Sequence, residues 1–227
     1  MNGEIMATQK EKKSLSNGVY DYLKTKILNN ELLPGDKLIE MEIAKELEVS
    51  RTPVREALAK LSKDGLAENF PRKSYIVSKI SMKDARDLYS VRTALEPMAV
   101  REIAEEGITN RTVILENIIS KMTRAYENGD LETVKEQIIE WNISLINLTQ
   151  NPILKDTLNI VNEKLYRFAN FIFRDEKNVK DVYTEINAIF SAIKNLDGEG
   201  AYNISYKYVS GIYPMLETQS DYKMFRF

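Results

Sequence analysis

The sequence predicts a mainly α fold: an N-terminal winged helix-turn-helix followed by a C-terminal all-α helical bundle. Three observations predict it. A short helix, a tight turn and a second helix with a clean apolar stripe follow one another over residues 34–66. Two short strand-like runs come next, around a basic turn. From residue 81 the pattern changes to long helices only, punctuated by Gly107, Asn128-Gly129-Asp130, Asn151-Pro152 and Asp197-Gly198.

The elements follow in order. Residues 1–13 are polar, and we expect a disordered N-terminus there. Val19, Leu23 and Ile27 are spaced i, i+4, i+8, which predicts an amphipathic helix over about 14–29. Pro34-Gly35 closes the connection after it. A short helix over about 40–47 turns Ile43, Ala44 and Leu47 inward, and Glu48, Val49 and Ser50 make the turn. In the next helix Thr52 suits the N-cap and Pro53 the first helical position. Val54, Ala57, Leu58 and Leu61 form its core stripe, and Gly65 stops it. Leu66–Phe70 and Tyr75–Ile80 read as a hairpin around Pro71-Arg72-Lys73-Ser74. Residues 14–80 thus make the winged domain. Ser81 and Asp84 form an S-x-x-D capping box and place the boundary near 78–82, so residues 81–227 make the second domain. Its helices are expected over about 82–106, 110–127, 130–150, 152–174, 178–196 and 199–218, with Pro97 inside the first.

Composition narrows the function. A chain of 227 residues, 43% hydrophobic and 29% charged, is long enough for one large or two ordinary domains. No run of 18 apolar residues occurs, so no membrane span is expected, and a reducing cytoplasm fits the absence of cysteine. There is no histidine either. That removes the commonest general base and transition-metal ligand, and with them Ser-His-Asp and Cys-His catalysis. No nucleophile–base constellation remains, and Glu105-Glu106 reads as a solvated helix end, so we expect no enzyme. The net charge of −2 divides into +2 over residues 1–80 and −4 over 81–227. Local clustering matters more for phosphate attraction: Arg72, Lys73 and Lys79 lie in a ten-residue block without an acid.

With its core stripe fixed, the second helix of the turn motif leaves Arg51, Arg55 and Glu56 towards solvent at its N-terminal end. Two guanidinium forks one turn apart suit bidentate reading of guanine in a major groove. This points to a sequence-specific DNA-binding protein.

PGDKL, then IAKELEVSRTPVREALAKLSKDGL, resembles the DNA-binding domain of the GntR family of bacterial regulators over about 15–80. YSVRTALEPMAV at 89–100, LTQNPIL at 148–154 and the pattern from Glu185 to Ala201 resemble the FCD ligand-binding domain of the FadR-type branch. The resemblance implies base reading by Arg51 and Arg55, with Thr52 on a phosphate or a base edge. It places Lys73 and Ser74 where the family's wing enters the minor groove, with Arg72 or Lys73 on phosphates. The family usually has Gly where this chain has Ser74.

For the second domain the resemblance implies an all-α bundle around an effector cavity, and a metal held by one Asp and three His. Those four positions fall on Ile138, Asn142, Ile186 and Tyr208. None can act as the family ligand, so we expect no metal and no cofactor. The helix faces Ile138–Asn142–Leu145–Thr149, Ile186–Ile189–Phe190–Ile193 and Ile204–Tyr208–Ile212–Met215 remain interior, which makes the expected cavity more apolar and uncharged than those of its relatives. Leu88, Arg92, Leu95 and Ala99 share another face. A cation in that stripe is costly unless paired. Arg92 either pairs with an internal carboxylate, Glu96 or Glu140, or anchors an effector's carboxylate or phosphate. Tyr89, Asn142, Tyr166, Arg167 and Tyr208 are weaker candidate effector residues.

The expected protein is a cytoplasmic, homodimeric, metabolite-responsive repressor that binds a double-stranded DNA operator and a small-molecule effector such as an organic acid. The alternative is an all-α small-molecule binding or scaffold protein whose winged domain contacts protein.

Overall fold

The structure, a computed structural model, describes residues 2–70, 74–107, 109–110, 112–219 and 225–226. It divides into two units between Ser81 and Met82, with the last residues of the chain grouped with the first unit.

In the first unit α1 (Asn2–Leu28) leads to β1 (Lys37–Leu38), α2 (Glu40–Glu46), α3 (Arg51–Lys63), β2 (Ala67–Phe70), β3 (Ser74–Val77) and β4 (Ile80–Ser81). α1 packs on α3, burying Val19, Leu23 and Ile27 against Val54, Ala57, Leu58 and Leu61, with Leu38, Ile43 and Val77 closing the core. These are the apolar positions of the two predicted stripes. The sheet has the order β1-β3-β2, all antiparallel, with Ala67 opposite Val77 and Leu38 opposite Tyr75.

Four expectations change. Helix α1 begins at Asn2, not near residue 14. The segment GEIMATQKEKK is polar but rich in good helix formers, so it continues a helix that the packed turns downstream have already nucleated. Ser50, not Thr52, is the N-cap residue of α3, with extended backbone at φ −71° and ψ 163°. Pro53 misled because no residue of the first turn needs its N–H for the helix, so proline fits any of these positions. Ser74 opens β3 opposite Phe70, where a turn residue was expected. The chain's end is not part of the helical unit: β5 (Phe225–Arg226) pairs in parallel with β4. Arg72 and Lys73 lie outside the described residues.

The second unit is built from α4 (Met82–Glu106), α5 (Val113–Glu127), α6 (Leu131–Leu148), α7 (Pro152–Ile172), α8 (Glu176–Lys194) and α9 (Gly198–Gln219). Local chemistry sets the starts. Asp130 accepts from Thr133 N at 3.1 Å, Asn151 from Ile153 N and Leu154 N at 3.1 Å each, and Asp175 from Lys177 N at 2.9 Å. These bonds satisfy N–H groups that the first turn leaves without a helical partner. α4 is central and touches α9, α7, α8 and α6. Trp141 on α6 is fully buried and meets Phe190 of α8 edge-on at 6.3 Å. α4 also holds the α6–α7 connection: Glu102 accepts from Thr149 Oγ1 at 2.8 Å and from the backbone N–H of Gln150.

Candidate nucleic-acid interface and ligand cavity

The helix-turn-helix turn runs through Leu47–Ser50. Glu48, an ordinary residue, takes a left-handed φ of 53° there. That reversal aims the N-terminal end of α3 outward. Arg51 and Arg55 stand on it with side chains 59% and 62% exposed, and Thr52 is exposed beside them. The expected readers are therefore free of the core and share one helix end. Each is engaged by Glu40, the first residue of α2. Arg55 donates Nε to Glu40 Oε1 at 3.1 Å and Nη2 to Oε2 at 3.0 Å, and Arg51 donates Nη2 to Oε2 at 3.3 Å. Hydrogen bonds from Arg55, and then Arg51, hold the Glu40 carboxyl below the usual carboxylate value, although partial desolvation opposes this. The same bond raises Arg55 above the usual guanidinium value. Glu40 carried no sequence signal, because it lies 11 and 15 residues from its partners in another element.

In the helical unit a cavity of about 40 Å³ lies among α4, α6, α7 and α9. Five of the six candidate effector residues line it: Tyr89, Arg92, Asn142, Tyr166 and Tyr208. Its remaining wall is apolar apart from Asn162, and α7 supplies Leu165 and Ala169, with Ile172 and the following Phe173 at its end. Arg92 is 5% exposed and Glu96 2%. Arg92 Nε donates to Glu96 Oε2 at 2.5 Å, and its Nη2 donates to Asn142 Oδ1 at 3.0 Å across to α6. Of the two candidate carboxylates, Glu96 is thus the partner; Glu140 is exposed and accepts from Ser144 at 3.5 Å. Burial opposes the charge of Arg92, and Glu96 with the neighbouring tyrosines more than restores it, so its pKa lies above the usual value. Burial pushes the Tyr208 phenol up to about 12 and raises Tyr89 as well.

On α6 and α8 the interior faces are largely where the spacing put them; on α9 Tyr208 and Ile212 are buried, but Ile204 and Met215 are half-buried and Ser205, Val209 and Leu216 take the interior. Ile138 and Ile186 are fully buried, and Asn142 and Tyr208 reach the cavity. Among the described residues no group of three or more His, Cys, Asp or Glu is placed to hold a metal ion. Apart from Tyr166 the α7 wall was not foreseen: its inward residues look like any core stripe, and only packing shows which of them face a void.

Residues 15–77 match the family model of bacterial regulatory proteins of the gntR family, and residues 87–210 match the FCD domain. The chain is 30% identical over 186 residues to an uncharacterised HTH-type transcriptional regulator, YdhC, of Bacillus subtilis, which spans 80% of this chain and 82% of that one. It is 27% identical over 181 residues to the HTH-type transcriptional repressor RspR of Escherichia coli, spanning 80% and 79%. Among solved structures, a GntR transcriptional regulator from Rhodococcus superposes with a TM-score of 0.77 at 19% identity, over 92% of this chain and 100% of that one. McbR/YncC of E. coli superposes at 0.73 with 23% identity, over 91% and 99%. These two likenesses show the fold.

Proposed function

The chain belongs to the GntR family of bacterial regulatory proteins, in the form that carries an FCD domain, and on that premise we propose that it is a homodimeric repressor whose operator is released when a small molecule enters the Arg92 cavity. It is a DNA-binding transcription regulator. Arg51 and Arg55 read base edges in the major groove, Thr52 holds a phosphate or base edge, and Arg72, Lys73 and Ser74 of the wing contact the backbone or minor groove. Two-fold symmetry matches a palindromic operator. Action on DNA in the cytoplasm accompanies this reading; no helix among the described residues is long and apolar enough to cross a membrane.

The observation that carries the effector reading is one cavity gathering Tyr89, Arg92, Asn142, Tyr166 and Tyr208 from four helices. At about 40 Å³ it has room for a few waters, whereas small-molecule sites run to several hundred Å³. Ligand uptake therefore has to enlarge it by shifting one or more of the four helices that wall it. A ligand that binds only the enlarged form stabilises that form, and this differential affinity is what lowers operator affinity. Arg92 orients the ligand with the donor capacity that Glu96 and Asn142 leave over, and the tyrosines and Asn142 supply further polar contacts.

No metal serves this cavity. The family's ligand positions are two buried isoleucines without donor atoms, Ile138 and Ile186, an Asn142 oxygen committed to Arg92, and a Tyr208 phenol that burial moves still further from ionisation. These residues do not fit a transition-metal ion.

The test uses the full chain. Genomic fragments retained by the protein define an operator, and Arg51→Ala with Arg55→Ala should abolish its selective retention while the fold persists. Unchanged retention would favour protein contact by the winged domain. A thermal-shift screen of organic acids and neutral metabolites should give hits that Arg92→Met removes. Elemental analysis finding stoichiometric, tightly bound zinc or nickel would overturn the metal-free reading.

A further inference from the structure

The contact between Glu40 and the two arginines carries more than an ion pair. A guanidinium has a side-on edge, Nε with one Nη, and an end-on edge formed by the two Nη groups. Glu40 takes the side-on edge of Arg55 in two bonds, at 3.1 and 3.0 Å, and a single Nη2 of Arg51 at 3.3 Å. Glu40 leaves the end-on edge of Arg55, Nη1 with the second proton of Nη2, unused on a side chain that is 62% exposed. Two parallel donors on one edge are what guanine O6 and N7 require.

Glu40 is itself firmly placed. It opens α2 directly after Ile39, whose backbone is extended, and Leu38 before that is buried and paired with Tyr75 of β3. Ile43 and Ala44 seat the rest of α2 in the core. The carboxylate also stands at a helix N-terminus, where negative charge is favoured. A fixed anion therefore faces two long, exposed cations.

We propose that Glu40 is a positioning and specificity-determining residue of the DNA-reading surface: it aims Arg55 and Arg51 at base edges and lowers the surface's attraction for phosphates of any sequence. The proposal rests on the reading of Arg51 and Arg55 as base readers. Aiming reduces the side-chain freedom that each arginine loses on binding, and that saving applies only where a base edge matches the aimed fork. The negative charge acts on the other side of the ratio. It reduces the local charge of the pair from two cations to a net of one, and non-specific binding follows phosphate neutralisation. Both effects widen the gap between cognate and random DNA.

The experiment compares the full-length wild type with Glu40→Ala, Glu40→Gln and Arg51→Ala/Arg55→Ala. The probes are the duplex that the wild type selects from a random-sequence library and a scrambled duplex of the same length, at one salt concentration. Glu40→Ala should weaken binding to the selected duplex by about fivefold or more, while the scrambled duplex binds as well or better. Glu40→Gln keeps the length and part of the hydrogen bonding and should fall between Glu40→Ala and wild type. If Glu40→Ala does not fold, the same fall in ratio must appear in Glu40→Gln. Equal loss on both duplexes, or no loss on the selected one, overturns the proposal. Tighter binding of the selected duplex by Glu40→Ala overturns it too, since Glu40 would then be masking the arginines. An Arg51→Ala/Arg55→Ala variant that keeps the selected affinity overturns the underlying reading, and the proposal with it.

Discussion

Arg92 and Glu96 stand one turn apart on α4 as a buried ion pair, with Nε 2.5 Å from Oε2 and both side chains less than a tenth exposed. The pair lies where the central helix meets the cavity, so it links the packing of the bundle to its ligand chemistry. Glu96→Leu alone leaves a buried guanidinium facing Asn142 and the phenols of Tyr89 and Tyr208 but no carboxylate, and should cost about 3–5 kcal/mol. Arg92→Met with Glu96→Leu removes both charges and should recover most of that loss. Urea unfolding of the two single variants and the double variant measures the coupling. A double variant no more stable than Glu96→Leu would show that the pair is not the reason for the loss.

Tyr208 predicts an alkaline weakness. Below pH 10 its phenol is neutral in the folded and unfolded chain alike, and the stability of the native state is whole. Between pH 10 and about 12 the unfolded chain loses this proton and the folded one keeps it, because burial has raised the native pKa to about 12. The unfolded state then gains and stability falls, by about 3 kcal/mol once both states are ionised. The difference in alkaline absorbance between wild type and Tyr208→Phe should show this phenol ionising well above the ordinary tyrosine range while the protein is folded, and Tyr208→Phe should lessen the decline.

Filling the cavity should uncouple signal from DNA binding. Ala169 on α7 lines the void, and Ala169→Leu fits a larger side chain into its about 40 Å³ at an overpacking cost of about 1–3 kcal/mol. Operator affinity should stay within a few-fold of wild type, while thermal stabilisation by any ligand that binds the parent is lost. Retained stabilisation would place the ligand elsewhere.

The helix-turn-helix turn contains a removable strain. Glu48 is exposed and holds φ at 53°, a region that favours glycine. Glu48→Gly should stabilise the chain by about 0.5–1 kcal/mol, since strain relief exceeds the added freedom of the unfolded state. Thermal unfolding decides this, and a clear loss would mean that the Glu48 side chain holds the turn.

Much of the molecule was legible in the sequence because it is written in short windows. The stripe Val54–Leu61 and the helix breaks at Asn128-Gly129-Asp130 and Asn151-Pro152 each act within a turn or two of helix, where spacing and side-chain type determine the outcome. The same periodicity put Arg51 and Arg55 outside and Arg92, Asn142 and Tyr208 inside. The cap of α3 was misread at Thr52 because proline marks the first turn without marking its first residue. Local pattern was enough for the two-part fold, the reading helix and the inward faces of α6 and α8. Tertiary structure alone decided that Glu40 holds both arginines, that Arg92 chooses Glu96 over Glu140, that α7 forms the cavity wall and that β5 joins β4. These are meetings between residues far apart in the chain or competing for one partner. Their geometry depends on how whole helices pack, and no local pattern records it.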